Sequence, residues 1–291
     1  MNTTWSNYLQ TTQSLYISRE QRFREDNQNI WLPYMKICDK TNVLEVGCAG
    51  GYMLHKLKQI FPGIQASGID LDDNHIMYAR EKSKELNINC DFLVADALAL
   101  PFKDNSFDTV FSHNVIEHLP VESFLQEQHR VLKKGGNIVV MSTKSNMSIQ
   151  PKHWKRSNVY DEILKKRIRE TYGVEFEGYE TSVDVYPGKL ESCGFENVDV
   201  QFCMLMDYAP DNYSTKKDLA EEQINAQRRY ALDSFQRICM IEQHKITKRE
   251  KERYISMINA HFDNRLCKYR RGEKVWDLCA SAVMFVSGIK V

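Results

Sequence analysis

The sequence predicts an α/β protein built on a doubly wound, mostly parallel sheet. Between residues 42 and 142, short apolar runs alternate with segments whose apolar residues recur at helical spacing. The connections between these segments are short, and such alternation gives parallel strands with right-handed crossovers and helices on both faces of the sheet. With 291 residues, the chain can form one such core and a sizeable appendage.

Each predicted strand is a short apolar run between turn residues, and each predicted helix has a start or stop signal. The first helix of the core follows the small-residue turn at 47–51. Asp72 or Asp73 can cap the next helix, and a third begins after Pro120 and extends to the glycine pair at 135–136. The strands are expected at 42–46, 66–69, 91–94, 107–111, 137–142, 195–205 and 275–291.

After residue 142 the regular alternation breaks, which predicts insertions into the core. The first insertion is polar, with one helix expected near 158–170. The second is expected to hold two amphipathic helices, the later one opening with a capping box at Thr247 and Glu250. We therefore expect an N-terminal helical cover at 1–36, the core at 37–145 and 183–206, a lid at 146–182, a helical insertion at 207–272, and the final strand at 273–291.

The composition argues against several classes of partner. Lys plus Arg equals Asp plus Glu, at 39 each, so no net charge attracts nucleic acid. No apolar stretch is long enough to span a bilayer, and the first residues lack the features of a secretory signal, so we expect a cytosolic protein. None of the eight cysteines is spaced as C-x-x-C and no His pair completes a zinc pattern, so no metal site is predicted.

The turn after the first strand favours a cationic ligand. Gly47, Cys48 and Ala49 begin this turn, where small residues let the backbone approach a ligand and the following helix offers free N–H groups. Ala49 occupies the place where a dinucleotide-binding turn has its second glycine. Glu45 precedes the turn, and a carboxylate at this position suits a cation better than a phosphate.

Two aspartates that end the next two strands predict contacts with a nucleoside. Asp70, followed by Leu71, is placed to accept hydrogen bonds from ribose hydroxyls. Asp96 is placed to accept from the exocyclic amine of adenine, while the Ala97 N–H donates to a ring nitrogen. The alternatives are a helix-capping role for Asp70 and a turn-forming role for Asp96.

The segments that carry these residues resemble the class I methyltransferases, most closely the small-molecule branch of the ubiquinone- and menaquinone-biosynthesis type. Their glycine motif resembles the segment VLEVGCAGG, and their ribose-binding segment resembles GIDLD. Their adenine-loop and fourth-strand segments resemble VADALALPFKDNSFDTVFSHNVIEHL, and their fifth strand resembles VLKKGGNIVVMS. The resemblance implies a Rossmann-like fold whose seven-stranded sheet has the order 3-2-1-4-5-7-6, with the seventh strand antiparallel. It also implies S-adenosyl-L-methionine as cofactor, S-adenosyl-L-homocysteine as product and a small-molecule acceptor.

The fourth strand and the N-terminal segment supply the candidates for the transfer site. His113 and Asn114 lie at the carboxyl end of the fourth strand, where we expect them to line the methionine part of the cofactor. His113 and His118 are the candidates for a general base, which a hydroxyl acceptor requires and a neutral amine does not. The alternative for His118 is a packing role, and either Arg19 or Arg24 is available for a carboxylate.

Three functions are compatible with these motifs. The first is methyl transfer to a small molecule, with the choice among oxygen, nitrogen and carbon left open. The second is a regulatory protein that binds the cofactor without turnover. The third is an NAD-dependent dehydrogenase, which shares the glycine turn and Asp70 but is disfavoured by Ala49, Glu45 and the segment around Asp96. We expect a monomer or a homodimer that binds no nucleic acid.

Overall fold

A computed structural model of the protein describes residues 5–8, 10–149, 185–241 and 247–291. Its centre is one mixed sheet, whose strands in the described residues are β1 (Asn42–Val46), β2 (Gln65–Asp70), β3 (Asp91–Val94), β4 (Phe107–His113), β5 (Leu132–Ile149), β6 (Phe195–Tyr208) and β7 (Cys279–Lys290). The strand order is β3-β2-β1-β4-β5-β7-β6, as predicted. Strands β1 to β5 pair in parallel, and β7 runs antiparallel between β5 and β6. The order reverses between β1 and β4, so a crevice for a ligand is expected at the carboxyl ends of these two strands.

Helices cover both faces of this sheet. In the described residues they are α1 (Trp5–Tyr8), α2 (Thr12–Arg22), α3 (Gln28–Trp31), α4 (Tyr52–Ile60), α5 (Asp73–Leu86), α6 (Val121–Val131), α7 (Val185–Ser192), α8 (Lys217–Ile241) and α9 (Lys248–Arg270). Short 3-10 turns lie at Glu25–Asn27, Leu32–Met35 and Ile116–His118. None of the helices in the described ranges combines the length and the apolar character needed to cross a membrane.

Side-chain alternation along the strands divides the core between the two faces. Val43, Phe111 and Met141 belong to the apolar cluster covered by the N-terminal segment, α4 and α5, which we call the α2 face. Leu44 and Val110 belong to the cluster covered by α6 and α7, which we call the α6 face. Polar side chains at the strand ends are therefore also assigned to one face or the other.

Several element ends differ from the sequence prediction: β4 ends at His113, β5 begins at Leu132, and the final strand β7 spans Cys279–Lys290. Helix α6 ends at Val131 and not at the glycine pair, because Leu132 is already extended and pairs with Phe107 of β4. Strand β5 continues to Ile149, which pairs with Ala280 of β7, and β6 continues to Tyr208. The helix expected near 158–170 lies outside the described residues. The long antiparallel partner β7 accounts for the longer strands, because it offers each of them a hydrogen-bonding edge.

The predicted helical insertion forms a pair of helices that packs on α2. The capping box is present at the start of α9: the Thr247 hydroxyl accepts from the Glu250 N–H at 3.2 Å, and the Glu250 carboxylate accepts from the Thr247 N–H at 2.8 Å. Helix α8 reaches α2 through Asp233, which accepts hydrogen bonds from the hydroxyls of Thr11 and Ser14. The insertion therefore supports the helix that covers one face of the sheet.

A buried ionic network fixes α9 to the strands. Arg265 Nη2 donates to Asp211 Oδ2 at 2.7 Å, and Arg265 Nε donates to Asp277 Oδ1 at 3.0 Å. The same Asp211 oxygen accepts from the N–H groups of Val275 and Trp276, at 3.0 and 2.9 Å. The side chains of Arg265 and Asp211 are only 4% and 2% exposed. Water therefore does not screen either charge, and each is stabilised by its ion pair with the other.

Replacing Arg265 by methionine is expected to lower the free energy of unfolding by about 3–5 kcal/mol, because two carboxylates lose their partner and one stays buried. The matched control is Arg270→Met on the same helix, whose pair with Glu221 lies at the surface and is screened by solvent. Urea denaturation measures both changes. Equal effects of the two substitutions would show that the network contributes no more than a surface pair.

Candidate functional site

The turn after β1 is held by hydrogen bonds to the end of β2. The N–H groups of Gly47 and Cys48 both donate to the carbonyl oxygen of Ile69 at 2.8 Å, and the Ala49 N–H donates to Asp70 Oδ2 at 2.8 Å. Ala49 has a φ of 46°, in the left-handed region that costs a non-glycine residue about 1–2 kcal/mol. These hydrogen bonds help to hold that conformation, so the turn is a defined surface at the carboxyl end of the sheet.

Asp70 is the acceptor on which this turn depends. Its Oδ1 atom accepts from the Asp72 N–H at 3.0 Å and lies 3.5 Å from Nδ1 of His75. Burial alone would raise the pKa of Asp70, but the contacts with His75 and with the N–H groups of Asp72 and Ala49 outweigh it and lower the pKa. Asp70 is therefore ionised, and each of its oxygens has a lone pair left for a further donor.

The helix-capping role that we considered for Asp70 belongs to Asp72. Its Oδ1 atom accepts from the Asn74 N–H at 3.0 Å at the start of α5. Leu71, between the two aspartates, has 56% of its surface exposed. Asp96 does form a turn, since its Oδ1 atom accepts from the Leu98 N–H at 2.8 Å. That bond uses one carboxylate oxygen and leaves Oδ2, beside Ala97, available to a ligand.

Glu45 and Arg19 are buried charged residues on the α2 face. Glu45 is 1% exposed and Arg19, from α2, is 7% exposed. Burial raises the pKa of Glu45 to about 8, although the positive charge of Arg19 opposes this shift. Burial also lowers the pKa of Arg19 to about 10, while Glu45, Asp70 and Cys48 act to raise it. Arg19 is thus within electrostatic reach of three residues that the sequence assigned to the cofactor.

Helix α2 lies directly over the glycine turn. A Cβ atom added at Gly50 would lie 3.1 Å from Thr12 Cγ2 and 3.3 Å from Tyr16 Cδ2. Of the two arginines proposed for a carboxylate, only Arg19 lies at this site. Arg24 donates to the carbonyl oxygen of Asp207, at the end of β6, at 2.9 Å. The close contact at Gly50 shows that a small residue there admits the helix and not only a ligand.

The end of β4 is tied to β5 by the two residues predicted to line the transfer site. His113 Nε2 lies 3.0 Å from Thr143 Oγ1, and Asn114 Oδ1 accepts from the Thr143 N–H at 2.7 Å. Burial, together with the charges of Arg19 and Arg22, lowers the pKa of His113 well below its ordinary value. His113 is therefore a neutral imidazole, which makes it a weak proton acceptor.

Helix α1 connects the two sides of the crevice. The Ser6 N–H donates to Asp72 Oδ2 at 2.7 Å, beside the end of β2. The ring of Trp5 lies 4.8 Å from that of His118, which follows β4. Burial lowers the pKa of His118, and its contact with Trp5 agrees with the packing role that we considered for it. The N-terminal segment therefore spans from the expected ribose side to the expected transfer side.

Sequence reasoning did not select a second polar cluster, which lies on the α6 face. Glu117 accepts a hydrogen bond from the Ser142 hydroxyl, and Lys144 Nζ donates to the same hydroxyl oxygen at 3.0 Å. Lys144 Nζ also lies 5.5 Å from the centre of the Tyr186 ring. Only the position of Glu117, in the segment IEHLP directly after the fourth strand, could have pointed to it. Nothing in the sequence around Lys144 or Tyr186 indicates a functional role, because their contacts depend on tertiary structure.

The structure thus brings most of the predicted site residues to one end of the sheet. Glu45, Cys48, Asp70 and His113 all lie within electrostatic reach of Arg19. Asp96 and Ala97 follow β3, which pairs with β2. In the described ranges, no group of three or more His, Cys, Asp and Glu side chains is placed to hold a metal ion.

Comparison with known proteins supports the resemblance in the core. Residues 44–140 match the family model described as a methyltransferase domain, so the resemblance to class I methyltransferases is confirmed for this segment. Norajmaline N-methyltransferase of Rauvolfia serpentina is 40% identical over 105 residues, which are 35% of each chain. Demethylmenaquinone methyltransferase of Listeria welshimeri is 35% identical over 115 residues, 38% of this chain and 48% of that enzyme. The chain therefore matches less than half the length of these relatives.

A solved structure extends the likeness of fold beyond the core. Phosphoethanolamine N-methyltransferase 2 of Haemonchus contortus, in complex with S-adenosyl-L-methionine, superposes with a TM-score of 0.54 at 17% identity. The match covers 98% of this chain and 59% of that one. At this identity the match establishes a shared fold, the Rossmann-like methyltransferase fold.

Replacing Gly47 by alanine is expected to destabilise the protein by more than the same change at Gly135. Both glycines have positive φ, 74° and 77°, so each alanine costs about 1–2 kcal/mol in backbone strain. At Gly47 the new Cβ would also lie 2.4 Å from Val115 Cγ2, whereas at Gly135 it meets nothing within 4 Å. Chemical denaturation of both variants separates strain from collision. Equal losses would mean that Val115 moves aside freely.

Proposed function

We propose that this chain is an S-adenosyl-L-methionine-dependent methyltransferase that methylates a small molecule. The observation that carries the proposal is the buried carboxylate of Glu45 beside the glycine turn. Its Oε2 atom is buried and has no hydrogen-bond partner among the described residues. A buried carboxyl group that can lose its proton suits a cation better than a phosphate, because a cation favours its ionised form, and the sulfonium and ammonium groups of this cofactor are cations. The residues present therefore fit the cofactor.

The described residues divide naturally among the parts of such a cofactor. Asp70 is suited to the ribose hydroxyls, and the exposed Leu71, the free oxygen of Asp96 and the Ala97 N–H are suited to adenine. Arg19 is the cation available for the carboxylate of the methionine part. The remaining residues in this proposal are Glu45, Gly47, Cys48, Ala49, His113 and Asn114, which surround the turn and the end of β4.

When bound, the cofactor supplies a methyl group made electrophilic by its sulfonium. The protein itself binds the cofactor and the acceptor, orients the acceptor and excludes water. Helix α2 covers the glycine turn, and α1 joins Asp72 to His118 across the crevice. We propose that these two helices keep water from the cofactor. His113 contributes a neutral, fixed wall and not a base, because its environment opposes protonation.

The dehydrogenase and the regulatory protein can be distinguished from a methyltransferase by measuring ligand binding and turnover. The fold alone does not specify methyl transfer, since a solved structure with the same fold, TM-score 0.50, is named the [4+2]-cyclase SpnF. Calorimetry with S-adenosyl-L-homocysteine and with NAD distinguishes the methyltransferase from a dehydrogenase. Binding of NAD alone would contradict the proposal. Transfer of a labelled methyl group into a small-molecule pool distinguishes an enzyme from a regulatory protein that only binds the cofactor.

Cofactor binding at pH 7 is expected to release a proton. The pKa of Glu45 is about 8 in the ligand-free protein, so its carboxyl group is mostly protonated at pH 7. A bound cation favours the carboxylate and lowers this pKa, and the proton then leaves. Calorimetry in phosphate and in Tris buffer measures the release, because the buffers differ in ionisation enthalpy. Glu45→Gln is the control and is expected to bind without release. Equal enthalpies for the wild-type protein in both buffers would contradict the assignment.

Other expectations join this proposal. We propose a cytosolic monomer or homodimer that binds no nucleic acid. We also propose the division into an N-terminal cover at 1–36, a core at 37–145 and 183–206, insertions at 146–182 and 207–272, and a final strand at 273–291. The contacts of α8 with α2 support a cover formed jointly by the N-terminal segment and the second insertion.

A further inference from the structure

The polar cluster on the α6 face lies at the same end of the sheet as the crevice. Ser142 and Lys144 follow Val140 along β5 at intervals of two residues, so all three side chains point to the α6 face. Thr143, which contacts His113, points to the α2 face. The ends of β4 and β5 thus carry polar groups on both faces, and the cluster lies beside the expected transfer site.

Three contacts fix the arrangement of this cluster. Ser142 donates to Glu117 Oε1 and accepts from Lys144 Nζ, so the hydroxyl links the carboxylate to the ammonium. Lys144 is only 9% exposed and lies over the Tyr186 ring, where a cation is stabilised by the ring electrons. Glu117 is therefore held in one orientation by Ser142 and Lys144, which act as positioning residues.

The cluster contains buried polar atoms that no described residue satisfies. Among the described ranges, Glu117 Oε2, the Tyr186 hydroxyl and the Ser112 hydroxyl have no hydrogen-bond partner. Tyr186 is fully buried and Ser112 is 1% exposed. Leaving such a group unpaired costs about 1–3 kcal/mol, so two in the cluster, and a third on the same face at the end of β4, indicate a place that a polar ligand completes. That ligand must donate to Glu117 and accept from a hydroxyl.

The electrostatics of the cluster suit proton transfer. Burial raises the pKa of Glu117, although Lys144 acts to lower it. Burial lowers the pKa of Lys144, and Glu117 acts to raise it. The groups within electrostatic reach of Glu117 are Lys144 from β5 and Tyr186 from α7. A carboxylate with a raised pKa is a stronger base than an exposed one and takes a proton more readily at neutral pH.

We propose that Glu117 is the catalytic base and that the acceptor is a small molecule whose nucleophile carries hydrogen, an amine N–H or a hydroxyl O–H. This inference rests on the proposed methyltransferase function. The lone pair of the nucleophile forms the bond to the methyl carbon, and the sulfur–methyl bond breaks with its electrons kept by sulfur. The proton of the nucleophile passes to Glu117 Oε2. Tyr186 and Lys144 bind an oxygen of the acceptor.

The first experiment compares Glu117→Gln with Glu122→Gln. Both replace a carboxylate by its amide, but Glu122 forms an exposed ion pair with Lys189 on the outside of the fold. Labelled methyl transfer into a small-molecule extract of cells is expected to fall about 10²–10⁴-fold in Glu117→Gln only. Calorimetry with S-adenosyl-L-homocysteine is expected to give affinities equal within about twofold in all three proteins. Retained transfer in Glu117→Gln would overturn the inference.

The second experiment does not depend on turnover. Carbon-13 labelling of glutamate carboxyl groups, with Glu117→Gln used to assign the signal, reports the pKa of Glu117 directly. The pKa of Glu117 is then measured in a double variant that carries Lys144→Met and Ser142→Ala. The positive charge of Lys144 lowers the pKa of Glu117, so its loss should not lower that pKa further. A pKa that falls to an ordinary value in the double variant would therefore contradict the arrangement. A pKa that rises further supports it.

The third experiment tests the acceptor class. The same extract is treated with acetic anhydride, which blocks N–H and O–H nucleophiles, before the wild-type protein is added. Loss of labelling in the treated extract supports the inference, and undiminished labelling points to carbon as the nucleophile and overturns it. Absence of both labelling and S-adenosyl-L-homocysteine binding would instead overturn the proposed function itself, and the inference with it.

Discussion

The hydrogen bond from the Ala49 N–H to Asp70 Oδ2 is the contact on which the candidate site depends. It joins the turn after β1 to the end of β2, and the other oxygen of Asp70 accepts from Asp72, the residue that caps α5. The contact with His75, together with these two hydrogen bonds, lowers the pKa of Asp70 and keeps it ionised despite its burial. One carboxylate thereby sets the shape of the turn, the start of a helix and a negative charge at the crevice, so a ligand meets a preorganised surface.

The second constraint is the burial of two ionisable groups, one basic and one acidic, under α2. Arg19 and Glu45 are removed from water on the same face of the sheet, which makes each sensitive to a charged ligand because the local dielectric is low. The helix that carries Arg19 is itself supported by Asp233 of α8. A link therefore runs from the insertion, through α2, to the charges beside the glycine turn.

The two faces of the sheet divide the chemistry. On the α2 face, Thr143 contacts His113 Nε2 and accepts from Arg22 at 3.2 Å, while His113 Nδ1 and Glu45 Oε2 have no partner among the described residues. On the α6 face, Glu117 and Tyr186 keep unpaired polar atoms. The unpaired atoms of the α2 face belong to residues proposed for the cofactor, whereas those of the α6 face lie outside that set. Because a buried unpaired group is completed by a polar partner, the α6 face is the better place for the acceptor.

The strand order was implied by the resemblance to the class I methyltransferases. The sequence by itself determined the core strands, the glycine turn and the carboxylates at Glu45, Asp70 and Asp96. These features depend on local periodicity and on spacing along the chain, which hold whatever packs above them. Only the tertiary structure decided that Asp72 and not Asp73 caps α5, and that Arg19 and not Arg24 reaches the crevice. It also placed Lys144 and Tyr186 beside Glu117. The physical reason is that pKa values, hydrogen-bond partners and helix ends are set by residues distant in sequence, which no local pattern records.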